Sequence, residues 1–207
     1  MMILPHFIVF EGIDGAGTST QIERLQKRLK YKPVFFTAEP TELETGKFLR
    51  RILKGDISVT PETAARLFAA DRSEHVYGTG GIIEQCNAGR VCICDRYVFS
   101  SLAYQSIECG MQLPKKLNED FPLPQIVFYF RIQPEQSLKR IAGRSVTEIY
   151  EKTDFLKKTA TSYETVFDTM RKTQCDMRII DIDASLSADE VEKNIWTVIS
   201  SMPILNT

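Results

Sequence analysis

Short apolar runs and longer amphipathic stretches take turns along the chain. Five runs stand out: Phe7–Phe10, Val34–Thr37, Val91–Cys94, Ile126–Phe130 and Arg178–Ile182. They are rich in Val, Ile and Phe and mostly continuous, whereas a strand with one wet face would alternate. Strands buried on both faces look like this, which predicts a parallel sheet covered by helices. The intervening stretches supply those helices. Ile22, Leu25 and Leu29 form an apolar stripe at helical spacing. Thr60-Pro61 reads as an N-cap followed by Pro at the first helical position. Ser187-Ala188-Asp189-Glu190 reads as a capping box ahead of Val191, Ile195, Val198 and Ile199. No internal repeat, low-complexity segment or Gly/Pro-rich linker divides the chain, so one α/β domain spanning residues 1–207, with right-handed crossovers, is expected.

Charge narrows the partners. Lys and Arg number 26 against 27 Asp and Glu, a net charge of −1, so no global basic field holds a nucleic-acid backbone. Locally, Arg131 to Lys158 holds seven Lys and Arg against four acids, either a solvated helical face or charge gathered for an anion. Five Cys (Cys86, Cys92, Cys94, Cys109, Cys175) include no pair of pairs at zinc spacing. Cys92 and Cys94 share one face of a predicted strand and read as small buried apolar residues. The start lacks a basic region before its apolar run, and no stretch reaches the ~18 apolar residues of a membrane span. A cytoplasmic, reduced protein is expected.

The most informative local pattern is Phe7-Ile8-Val9-Phe10-Glu11-Gly12-Ile13-Asp14-Gly15-Ala16-Gly17-Thr18-Ser19-Thr20-Gln21. A strand ends, a Gly-rich loop follows, and a helix begins at about Thr18. Gly12, Gly15 and Gly17 let backbone N–H groups turn inward around a polyphosphate, and the helix N-terminus adds partial positive charge. Against G-x-x-x-x-G-K-[ST], Gly12 and Gly17 fit, Ser19 fits the magnesium-ligand position, and Thr18 stands where Lys is expected. Thr carries a hydroxyl and no charge, so backbone binding of phosphate survives while one cation for the transferring phosphoryl is missing.

Four blocks in order and spacing resemble the thymidylate kinase family: Ile8 to Gly17, Thr37-Ala38-Glu39-Pro40, Leu67-Phe68-Ala69-Ala70-Asp71-Arg72, and Asp95-Arg96-Tyr97-Val98-Phe99-Ser100-Ser101-Leu102-Ala103-Tyr104-Gln105. The resemblance runs over nearly the whole chain. It implies a three-layer P-loop nucleoside-monophosphate kinase fold, with a five-stranded parallel sheet and a small lid at about 140–155. It also implies transfer of a phosphoryl group from ATP to dTMP with Mg2+, in a homodimer, with no nucleic-acid or membrane partner.

By the same resemblance, Gly12, Ile13, Asp14, Gly15, Ala16, Gly17, Thr18, Ser19 and Thr20 hold the ATP phosphates. Asp14, Glu39, Pro40, Phe68, Arg72, Arg96, Ser100, Ser101, Tyr104, Gln105, Tyr150 and Glu151 line the dTMP site. Phe68 would stack on the pyrimidine, Arg72 donate to a base oxygen, and Tyr104 face the sugar's 2′ edge. Ser19 and Asp95 would hold Mg2+, partly through water. Asp14, Arg96, Arg140 and Arg144 are the implied catalytic set. Relatives often carry Arg at two further positions, occupied here by Ala38 and Ile149, so three cationic positions are neutral with Thr18. Two readings stay open: a working kinase whose cations are rearranged, or a catalytically weak relative that keeps the dTMP pocket. A deoxynucleoside kinase fits less well, because its substrate has no phosphate for Arg96 to clamp.

Overall fold

The five apolar runs become five parallel strands in the computed structural model, which describes residues 2–142, 153–173 and 176–205. Strands β1 (Ile3–Gly12), β2 (Val34–Ala38), β3 (Val91–Asp95), β4 (Leu123–Arg131) and β5 (Arg178–Asp183) stand in the order β2-β3-β1-β4-β5. Phe7, Ile8, Val9 and Phe10 at the centre have no exposed surface, as continuous apolar runs require. Side chains alternate between two cores. On one face, Phe7, Val9, Cys92, Cys94 and Val127 pack under α3 (Pro61–Tyr77), α5 (Val98–Cys109) and α8 (Thr153–Lys172). On the other, Ile8, Phe10, Ile93 and Phe128 pack under α1 (Thr18–Arg28) and α9 (Ala188–Ile199). Cys92 and Cys94 do share a face, and Cys86, Cys92 and Cys94 are buried free thiols. Cys175 lies outside the described residues.

The helix signals work as read. The Thr60 hydroxyl accepts from the Thr63 amide at 3.3 Å, with Pro61 in the first turn. Ser187 and Glu190 exchange both bonds of a capping box. β1 begins earlier than its apolar run indicates. Ile3 and Leu4 pair with Leu123 and Pro124, and the register then shifts before Ile8. His6, at φ 63°, absorbs the shift just after Pro5, a place where a strand tolerates a residue without an N–H. Among the described residues no helix is long and apolar enough to cross a membrane.

Strand order brings the functional blocks together. β1 and β3 are neighbours with Phe10 opposite Asp95, and β2 and β3 place Ala38 beside Asp95. The Arg96 amide donates to the Phe10 carbonyl and the Glu39 amide to the Asp95 carbonyl, both at 2.9 Å. Three strand exits are thereby locked edge to edge at the carboxyl end of the sheet, where open α/β sheets bind ligands.

Candidate active site

The loop after β1 turns tightly because its glycines allow it. Gly15 sits at φ 79°, and a Cβ there would lie 2.8 Å from the Ser137 carbonyl oxygen. Helix α7 (Pro134–Ile141) therefore presses directly on the loop, and the Ser137 hydroxyl donates to the Asp14 carbonyl. Gly17, at φ 97°, is the cap of α1 and has no side chain to satisfy the first-turn N–H groups. Such amides, with the helix dipole behind them, form a seat for phosphate.

A cavity of about 350 Å³ opens between this loop and the exits of β2 and β3. The loop contributes Ile13, Asp14, Gly15 and Gly17 to Thr20, and the β2 exit contributes Glu39 and Pro40. From α3 come Phe68 and Arg72. The β3 exit and α5 supply Asp95, Arg96, Ser100, Ser101, Tyr104 and Gln105. Gly12 and Ala16 do not line this cavity.

Arg96 is the centre of the cavity's charge. Its Nη2 donates to Asp14 Oδ1 at 2.6 Å and its Nη1 to the Gly12 carbonyl at 3.1 Å. The guanidinium stands over the Tyr104 ring, 5.2 Å from its centroid, and the Tyr104 hydroxyl donates to Asp14 Oδ2 at 3.1 Å. Arg96 adopts φ 70°, a conformation that L-residues avoid and that clusters at functional positions. Arg72 is 1% exposed and mostly committed to protein partners. Its Nε and Nη2 both donate to Glu39 Oε2 (2.9 and 2.6 Å), Nη2 also to Ser101 (3.1 Å), and Nη1 to Asn118. Of its five N–H groups, one on Nη1 remains for a ligand.

Several buried polar atoms at the cavity lack partners. Asp95 Oδ2 accepts from the Ser19 hydroxyl at 2.7 Å, while Asp95 Oδ1 is buried without a hydrogen bond. Gln105 Oε1 and Arg50 Nε are in the same condition. Unsatisfied buried groups are rare in folded proteins and call for an occupant. A carboxylate oxygen beside a hydroxyl is a hard-oxygen donor set, suited to a small divalent cation. Among the described residues no cluster of three or more His, Cys, Asp and Glu forms a cage. Two protein oxygens completed by substrate phosphates and water match the way Mg2+ is usually held.

Arg140 stands elsewhere. It borders a separate hollow of about 400 Å³ on the far side of the loop, with Gly15, Ala16, Gly17 and the 184–188 segment. Its Nη2 donates to the Ala184 carbonyl at 2.8 Å, and its Nη1 lies 3.9 Å from where a Gly17 Cβ would be. The same Nη1 lies 3.5 Å from the Ala16 carbonyl of the loop. Arg144, Ile149, Tyr150 and Glu151, with most of the expected lid at 140–155, lie outside the described residues.

Sequence patterns missed three residues. Arg50, from α2 (Glu44–Leu53), lines the cavity beside Ala38 and Asp95, its Nη2 donating to the Pro40 carbonyl at 2.5 Å. Glu11 is wholly buried under Arg96, and burial pushes its carboxyl up to about 7 against the opposing pull of Ser100 and Arg96. Tyr163 reaches the same point from α8. Only Glu11 left a sequence signal, a charge embedded at the end of an apolar run.

A phosphate loop beside a pocket that carries its own arginine fork is the arrangement of a kinase with a phosphorylated acceptor. The thymidylate kinase family model matches residues 10–195. The chain belongs to the thymidylate kinase family. It is 43% identical to a Treponema pallidum (strain Nichols) relative over 94% of this chain and 95% of the relative. Identity to a Methanocaldococcus jannaschii relative is 42%, covering 76% and 79%. A Leptospira interrogans serovar copenhageni relative is 37% identical, covering 81% and 85%. All three bear "thymidylate kinase" in their names. The kinase thus has the all-parallel P-loop fold of its family and carries out the family reaction, phosphoryl transfer from ATP to dTMP.

Proposed function

We propose that the 350 Å³ cavity is the acceptor site of the kinase, and that its residues divide the labour as follows. Phe68 stacks on the thymine, and the buried Gln105 amide and the one open N–H of Arg72 read its polar edge. Tyr104 and Asp14 flank the deoxyribose. Arg96 and Arg50, both in the cavity lining, hold the monophosphate. The loop from Gly12 to Thr20 holds the ATP phosphates on backbone amides, with Arg140 supporting it from behind. Ser19 and Asp95 hold Mg2+, which when bound neutralises charge on the donor phosphates. Transfer itself is an in-line exchange: an acceptor phosphate oxygen bonds to the γ-phosphorus as the bond to the ADP leaving oxygen breaks. A phosphate oxygen is already a nucleophile at neutral pH, so the residues serve to align and to neutralise.

The observation that carries this reading is Arg96, forked onto Asp14 and Gly12 at the mouth of the phosphate loop, where an acceptor phosphate would meet the donor. The proposal extends to one domain over residues 1–207, a lid at about 140–155, a homodimer and a cytoplasmic location, each supported by the family resemblance. Calorimetry on Phe68→Ala tests the pocket. Base–aromatic stacking contributes ~1–3 kcal/mol, so dTMP affinity should fall about 5- to 150-fold. Unchanged affinity in a folded variant would remove Phe68, and with it the assigned position of the base.

A further inference from the structure

Beneath Arg96 lies a buried polar cluster that the reaction as described does not use. Glu11 Oε1 accepts from the amides of Tyr97 (2.8 Å) and Ser100 (3.3 Å). Glu11 Oε2 accepts from the hydroxyls of Ser100 (2.7 Å) and Tyr163 (2.8 Å). Those two hydroxyl oxygens are 2.8 Å apart, and Arg96 Nη1 approaches both, at 3.2 Å from Ser100 and 3.4 Å from Tyr163. Tyr163 has no exposed surface, and burial holds its phenol well above the usual range, so it stays a neutral O–H.

Glu11, when ionised, can only accept, so at least one of the two hydroxyls donates to its Oε2, and the other donates there or across the 2.8 Å contact between them. Arg96 Nη1 can only donate, so in every arrangement both hydroxyl oxygens face it as acceptors. Together with the Gly12 carbonyl, they offer Nη1 three protein acceptors. Nη2 is held by Asp14, a residue of the cavity lining. The Tyr163 ring also meets the Tyr104 ring edge to face, with centroids 6.0 Å apart, and Tyr104 lies under the same guanidinium. One side chain from α8 thus supports Arg96 from two directions.

We propose that Tyr163 and Glu11 are positioning residues, which orient the Nη1 edge of Arg96 so that its other edge meets the acceptor phosphate. This rests on the assignment of Arg96 to the monophosphate. Neither residue lines the cavity, and both act through Ser100 and Arg96. A guanidinium without this backing would retain its charge and lose its aim, and a charge-assisted fork is specific because its geometry is fixed.

The test compares dTMP with thymidine, which has the same base and sugar and no phosphate. Both affinities are measured by calorimetry at pH 8, where Glu11 and the phosphate are ionised, in the parent, Tyr163→Phe, Glu11→Gln and Arg96→Ala. In Tyr163→Phe the preference for dTMP over thymidine should fall about tenfold, with thymidine affinity within twofold of the parent. Glu11→Gln should shift the ratio the same way, and decides the matter if Tyr163→Phe does not fold. Arg96→Ala should abolish most of the preference. An unchanged ratio in both folded variants, or equal weakening of both ligands, overturns the positioning role. An unchanged ratio in Arg96→Ala instead removes Arg96 from the phosphate and leaves the cluster structural.

Discussion

Replacing Arg96 with Ala should cut kcat/KM for dTMP at least a hundredfold while leaving ATP affinity within a few-fold of the parent. Hydrogen bonds to charged groups contribute ~1.5–3 kcal/mol each, and a bidentate grip supplies two, so a loss of ~3 kcal/mol or more is expected. Each 1.36 kcal/mol is tenfold in rate. The variant also strips Asp14 Oδ1 of its 2.6 Å partner and leaves a carboxylate facing an incoming phosphate, which adds repulsion. Arg96→Lys serves as the companion: it keeps the charge and removes the planar fork, so its loss should be intermediate. Steady-state kinetics with each substrate varied separates the outcomes. Equal losses for ATP and dTMP in Arg96→Ala would point to a loop-supporting role through the Gly12 carbonyl rather than to the acceptor phosphate.

The second large effect concerns the neutral phosphate loop. Thr18→Lys should leave the rate flat or lower it, and Arg140→Ala or Arg144→Ala should cost roughly 3 kcal/mol of transition-state stabilisation, over a hundredfold. Arg140 is the member of that pair within the described residues. Its Nη1 lies 3.9 Å from the Gly17 Cβ position, close enough for its charge to act on phosphates held in the loop. Arg50 and Arg96 already face the cavity that Thr18 lines. A lysine added among them brings like-charge repulsion into a site that is not short of cations. A tenfold acceleration by Thr18→Lys, with both arginine variants behaving like the parent, would show that the loop simply lost its lysine.

Much of this architecture was legible in the amino-acid order because its signals are local. Continuous apolar runs marked the strands, Thr60-Pro61 and Ser187–Glu190 marked helix starts, and the glycines of the first loop marked the tight turn into α1. Asp95-Arg96 could be assigned to a strand exit because the run Val91–Cys94 ends immediately before it. What could not be read was partnership across the fold. Tyr163 meets Glu11 over 152 positions, and nothing in either neighbourhood announces the other. Arg72 carries the same lesson: the family resemblance implied a guanidinium donating to the base, but Glu39, Ser101 and Asn118 take most of its donors. Arg140 falls against the Gly-rich loop, a placement that depends on how α7 packs against Gly15. The early start of β1 was hidden by Pro5, since only the tertiary register shows that a shift there accommodates it.

The most direct test is a coupled assay on the unaltered chain, following ADP release with ATP, Mg2+ and, in turn, dTMP, dUMP and dCMP. Turnover dependent on dTMP, abolished without Mg2+ and weakest with dCMP, is the expected result. Saturable dTMP binding by calorimetry with no ADP formed from any monophosphate would contradict it, and would leave a nucleotide-binding protein whose phosphate loop no longer supports transfer.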